Sequence, residues 1–206
     1  MPNPRSGEKQ DDAASVEGVV TQKGLAVFGL FRRSRNEALI DRLHGEIMAA
    51  ARQPALFLDY GVADTVEGRF EALCLVATIA IDRMQALPSP GPEIAQESLD
   101  ALFRYFDVAL REMGVGDLTV PKRIKKMAQG FLGRGAAYRA GLAEPDDSVL
   151  ALAVARNIYG DEARADDPRT SRMVRFARAH AAQMQTLDVR RLLDGPLPHT
   201  DAASVS

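Results

Sequence analysis

The chain has 206 residues, 46% apolar and 26% charged, an ordinary globular composition with room for one core and not for two. Its formal net charge of -2 excludes binding to nucleic acid or anionic membrane through overall charge and leaves a local basic patch as the electrostatic route. Alanine, the strongest intrinsic helix former, supplies 32 residues, while aromatics supply 6% and tryptophan none, so an all-α fold is expected. The one cysteine, Cys74, lies in the apolar run from Leu73 to Ala77 and reads as a small buried hydrophobe in a reducing compartment. No apolar run reaches the ~18 residues of a membrane span, and the N-terminal residues lack the apolar stretch of a secretory signal. A cytoplasmic protein is expected, with at most peripheral contact at the inner face of the membrane.

In chain order, residues 1–24 mix Pro, Gly, Ser and acidic side chains without periodicity and read as a disordered arm; 25–195 is the folding segment, and 196–206 a disordered tail. A short apolar stretch, Leu25 to Phe31, ends in Arg32-Arg33 and reads either as a staple on the folded body or as a membrane-interface segment. Ser34 and Glu37 form a capping-box pattern that opens a helix over about 35–52. Asp64 and Glu67 repeat the pattern, and from there to Met84 nearly every face is apolar, which places that helix at the centre of the bundle. A third, aromatic-rich core helix over about 92–113 carries Leu102, Phe103, Tyr105, Phe106, Leu110 and Met113 and stops at Gly114. A fourth, over about 121–142, opens on Pro121, with Ile124, Met127, Ala128, Phe131, Leu132 and Tyr138 facing inward. Cap candidates Asp146 to Ser148 open a fifth that ends at Gly160; Asp167-Pro168 opens a sixth to about Gln185; a short last helix covers about 188–194. A single-domain bundle of six to seven helices results.

Little in this chain points to catalysis. His44, His180 and His199 are far apart in sequence and lack the spacing or cysteine company of a zinc site, so no metal is expected. There is no G-x-S-x-G elbow, and Gly114-Val115-Gly116 lacks the lysine and the preceding strand of a phosphate loop. No catalytic residue and no cofactor are expected.

The unusual run is Pro121-Lys122-Arg123-Ile124-Lys125-Lys126, which holds three of the five lysines. Cations in the first turns of a helix oppose its dipole at up to about 1 kcal/mol each, and local rules are broken where function needs it. Lys122, Arg123, Lys125 and Lys126 therefore read as a site for an anionic partner such as ribosomal RNA, lipid phosphate or an acidic protein face. The plainer alternative is a solvated helix start partly offset by Asp117. Gly68 in a first turn costs up to ~1 kcal/mol against Ala, which implies a close neighbour there. Asp64 or Thr65 would cap that helix while Arg69 and Glu71 form ion pairs. Phe131, Arg134 and Tyr138 share one face of their helix, a stripe that suits a core as well as a binding surface.

Several motifs in order then resemble the ubiquinol-cytochrome c chaperone family: Ala51-Arg52-Gln53-Pro54; Gly61-Val62-Ala63-Asp64-Thr65 with Gly68-Arg69-Phe70-Glu71; Arg111 to Asp117; Lys122 with Lys125-Lys126-Met127; Phe131-Leu132-Gly133-Arg134 with Ala137-Tyr138; and Ala155 to Gly160. The likeness covers about residues 36–185. Leu132 and Phe57 stand where the family usually has Tyr, and Ala63 where Pro is frequent. The resemblance implies an all-helical, non-enzymatic assembly factor of the cytochrome bc1 complex in the respiratory chain. It implies cytochrome b as client, work near the ribosomal tunnel exit or the membrane surface, and no DNA partner. Arg52, Pro54, Gly61, Asp64, Thr65, Gly68, Arg69, Phe70, Glu71, Phe131, Arg134 and Tyr138 would form the client or partner surface, in a groove near the helices expected from Asp64 and from Pro121. Two other readings stay open from the residues alone: a small helical RNA- or ribosome-binding module, and a lipid- or isoprenoid-binding protein.

Overall fold

The computed structural model describes residues 36–160 and 164–205. The chain divides into two compact units, Met1–Leu39 and Ile40–Ser206; the expected arm over 1–24, the 25–33 segment and Ser34 lie outside the described residues. The second unit is all-α. A first helix, α1, covers residues 36–51. There follow α2 (Pro54–Leu58), α3 (Val66–Gln85), α4 (Gly91–Glu112), α5 (Val120–Ala143), α6 (Ser148–Val154), α7 (Pro168–Met184) and α8 (Val189–Asp194).

Helix boundaries follow local chemistry closely. Thr65, and not Asp64, is the N-cap of α3: its hydroxyl accepts from the Gly68 N–H at 3.1 Å. Asp167 and Asp188 cap α7 and α8 in the same way. At the end of α4, Gly114 has φ +78°, its N–H donates to Arg111 O, and the Val115 N–H donates back to Leu110 O at 3.0 Å. That is a Schellman stop, which requires the left-handed residue glycine supplies. The fifth expected helix is real but not uniform: α6 widens into a π-helical turn at Ala155–Tyr159 before Gly160. Pro54, expected only to end α1, also opens the short α2.

The core is centred on α3, as its all-round apolarity requires. Residues Ala72 to Ala80 are all buried, with α4, α5 and α7 packed around them. Cys74 is fully buried there, and burial pushes its thiol pKa far up, so it is a packing group. Three expected inward positions fail. Leu132 is 55% exposed, Tyr105 38%, and Met113, at the end of α4, 61%.

The tail is the main correction. Residues 196–205 do not dangle; Leu197, Pro198, Thr200 and Ala202 are buried, and a 3₁₀ turn forms at Ala202–Ser204. The polar backbone of this strap is satisfied by distant side chains. Glu46 accepts from the Leu197 N–H at 2.7 Å, Gln53 bonds both Thr200 O and the Ala202 N–H, and the Tyr60 hydroxyl donates to Ala202 O at 2.8 Å. A Pro-containing, small-residue segment buries little by itself, so its order comes from partners about 150 residues upstream, which local composition does not register.

Candidate functional site

Between α1, α3 and α4 the surface opens into a cleft of about 240 Å³. Its floor is Met48, Ala51, Leu73 and Phe106, and its mouth is Val66, Tyr105 and Met113, which are 62%, 38% and 61% exposed. A chain of rings runs inward from it. Tyr105 meets Phe106; Phe106 meets Phe70 at 5.7 Å and Phe103 at 6.0 Å; and Phe103 meets Phe131 edge-to-face at 5.9 Å. Tilted and edge-to-face pairs add to burial and hold the rings in register. Exposed apolar side chains around an apolar floor make this the candidate binding surface.

Two cations stand at the rim. The Arg52 guanidinium donates to the Tyr105 hydroxyl at 3.1 Å, fixing the outer ring. Arg69 donates to Asp64 at 2.7 Å and lies over the Phe57 ring, and its hydrogen bond holds the Asp64 carboxyl below the usual carboxylate range. Met127 brings the start of α5 to the same cleft. One turn away, Lys122, Arg123, Lys125 and Lys126 are all exposed, and none forms an ion pair among the described residues. Asp117 does not offset them, because Arg111 takes both Asp107 and Asp117, at 2.7 and 2.5 Å. Thr119 makes no side-chain cap, and the first turn of α5 holds no acid, unlike α3 with its Glu67.

The twelve residues expected to form one client surface separate into two groups. Arg52, Arg69 and Phe70 line the cleft, Asp64 is paired with Arg69 at its rim, and Pro54 is exposed two residues after Arg52. The others are framework. Thr65 caps α3. Gly68 is buried because a Cβ there would sit 2.0 Å from the Ala63 carbonyl oxygen, which is the close neighbour its position demanded. Glu71 and Arg134 form a two-pronged ion pair joining α3 to α5, with the Arg134 guanidinium over the Phe70 ring at 5.6 Å. Phe131 ends the ring chain, and Tyr138 is completely buried, its phenol pKa pushed up by burial and by the negative charge of Glu71. Gly61 sits in an exposed turn with φ +72°. The groove expected near α3 and α5 is thus walled by α1, α3 and α4, with α5 contributing one residue. Tyr105 and Met113 were expected to be core; their exposure follows from their place at the open edge of α4. The hydrophobic pattern could not separate core from cleft.

Among the described residues no group of His, Cys, Asp and Glu gathers where it could hold a metal ion. No described helix is long and apolar enough to cross a membrane. The described residues thus form a helical scaffold with an open apolar cleft and a row of exposed cations beside it. The chain belongs to the ubiquinol-cytochrome c chaperone family, whose profile matches residues 58–200. It is similar to the crystal structure of the Cbp3 homolog from Brucella abortus, with 35% identity and a TM-score of 0.77 over 87% of this chain and 99% of that one. No curated protein matches the sequence. The family match extends beyond residue 185 to Thr200, in keeping with a strap that is part of the fold. The family makes this chain a chaperone in the assembly of the cytochrome bc1 complex, also called ubiquinol-cytochrome c reductase.

Proposed function

We propose that the chain holds newly made cytochrome b in the cytoplasm, at the inner face of the membrane, and does so without catalysis. The observation that carries this is the juxtaposition of an exposed apolar cleft with four exposed cations at the start of α5 that form no ion pair among the described residues. An unassembled membrane protein offers apolar helices that must be kept from aggregating, and a cleft walled by Phe70, Tyr105, Phe106 and Met113 suits such a segment. Methionines in its lining, Met48, Met113 and Met127, let the surface adapt to different side chains. The cations then meet an anionic surface close to where the client is made, either ribosomal RNA or lipid phosphate, and the contact is salt-sensitive because it releases counterions.

The test is a strain lacking this chain, read by the reduced-minus-oxidised haem spectrum of its membranes and by blots for the bc1 subunits. Loss of the b-type signal is expected, restored by wild type. Reversal of Lys122, Arg123, Lys125 and Lys126 to Glu should abolish salt-sensitive binding to ribosomes or anionic vesicles. The substitution Met113→Glu, at an exposed position in the cleft mouth, should leave that binding intact and reduce co-purified cytochrome b. Normal cytochrome b in the deletion strain would overturn the client assignment; unchanged binding after charge reversal would overturn the role given to α5.

A further inference from the structure

A second cleft, of about 340 Å³, lies away from the first, between α1, α3 and α7, and its outer wall is the C-terminal strap at Pro196, Leu197 and Pro198. Its inner wall is apolar: Ile47 from α1, Val76 and Ala80 from α3, Met184 from α7. Its volume falls in the range of small-molecule sites, which combine an apolar lining with a few placed polar groups.

The polar groups here are unequal. Glu46 is occupied by the Leu197 N–H and by Arg42; Gln53 spends its amide on Ala50, Thr200 and Ala202; Asp201 caps the Ala203 N–H. His180 is different. It lines the cleft at 2% exposure, and neither Nδ1 nor Nε2 has a hydrogen-bond partner among the described residues. Its ring is held by parallel stacking on Phe176, 5.8 Å between centroids. Burial, then the nearby charge of His199, lowers its pKa to about 4, so the ring is neutral at physiological pH and offers one donor and one acceptor. A buried imidazole with both nitrogens unused is costly unless something enters to satisfy it. A carboxylate or phosphate would want an imidazolium, whereas a hydroxyl or carbonyl pairs with the neutral ring.

We propose that this cleft is a binding site for a neutral, mainly apolar small molecule carrying one hydroxyl or carbonyl group, which hydrogen-bonds His180 while its body lies between Ile47, Val76 and the strap.

The probe is 2-naphthol, titrated into the full chain, with 2-methylnaphthalene as the analogue lacking the hydroxyl. Because the chain has no Trp, naphthol fluorescence is read without indole background. Saturable binding is expected, with 2-naphthol about fivefold or more tighter than 2-methylnaphthalene, the worth of one hydrogen bond. In nitrogen-detected spectra of the imidazoles, the His180 ring should shift on titration while the His44 ring does not. His180→Leu should remove the preference for the hydroxyl. Ala50→Phe, at a half-exposed wall position that leaves His180 in place, should abolish binding of both probes. Non-saturable binding, binding unchanged by Ala50→Phe, or an unmoved His180 resonance would overturn the site; the last two hold even where His180→Leu fails to fold.

Discussion

Replacing Arg134 by Met tests whether the family motifs on α3 and α5 act as framework. Arg134 Nε and Nη2 each donate to one oxygen of Glu71 at 2.5 Å, and Nη1 donates to Gly130 O at 3.1 Å. The Glu71 side chain is 12% exposed and that of Arg134 28%, so this is a mostly buried pair. Met keeps much of the aliphatic volume beside Phe70 and removes the charge, leaving a carboxylate stranded between two helices. Stranding one member of a fully buried pair costs about 3–5 kcal/mol, and the residual water access here reduces that to about 2–3 kcal/mol. For a chain of this length the melting temperature should drop by roughly 4–12 °C. Replacing both members, Glu71→Leu with Arg134→Met, removes the stranded charge and should return stability to within about 1 kcal/mol of wild type. Urea unfolding followed by circular dichroism at 222 nm gives both legs of the cycle. A single variant within about 0.5 kcal/mol of wild type, or a double variant no better than the single, would refute the assignment of this pair as the α3–α5 clasp.

Gly68→Ala should destabilise by more than about 2 kcal/mol, despite the ~1 kcal/mol of helix propensity it gains, because the new methyl would sit 2.0 Å from the Ala63 backbone oxygen and the chain there would have to move. Equal or higher stability in the same urea assay would show that the Ala63 loop yields freely. The low pKa of His180 gives a pH dependence with a definite sign. Above about pH 6.5 neither folded nor unfolded chain protonates this ring; as pH falls from there towards 4 the unfolded state takes up a proton that the folded state excludes, and stability is lost. At ~1.4 kcal/mol per pKa unit the loss is roughly 3 kcal/mol. The stability difference between wild type and His180→Leu should therefore shift by about that amount between pH 7 and pH 4, to the detriment of wild type, and a pH-independent difference would rule the buried neutral ring out.

The residues by themselves determined the elements and their ends. Alanine content and 3.6-residue periodicity define helices whose bounds the structure reproduces to within a few residues, because capping is chemistry within one turn: Thr65, Gly114, Asp167 and Asp188 act on their immediate neighbours. The all-round apolarity of α3 fixed its central place for a similar reason, since no face of it tolerates water. The short α2 escaped notice because five residues show no period.

What only the tertiary structure decided was which apolar and charged residues work inward and which stay at the surface. Phe106 and Met113 are both apolar members of α4, yet one is 9% and the other 61% exposed, because exposure depends on where neighbouring helices stop. Arg69 and Arg134 look alike in sequence, but one stands at a rim and the other clasps two helices. The strap over residues 196–205 is ordered by Glu46, Gln53 and Tyr60, and it brings His199 beside His180 in one cleft. Such pairings join positions far apart in the chain, and a sequence read by local propensity carries no signal for them until the fold has closed the loop between.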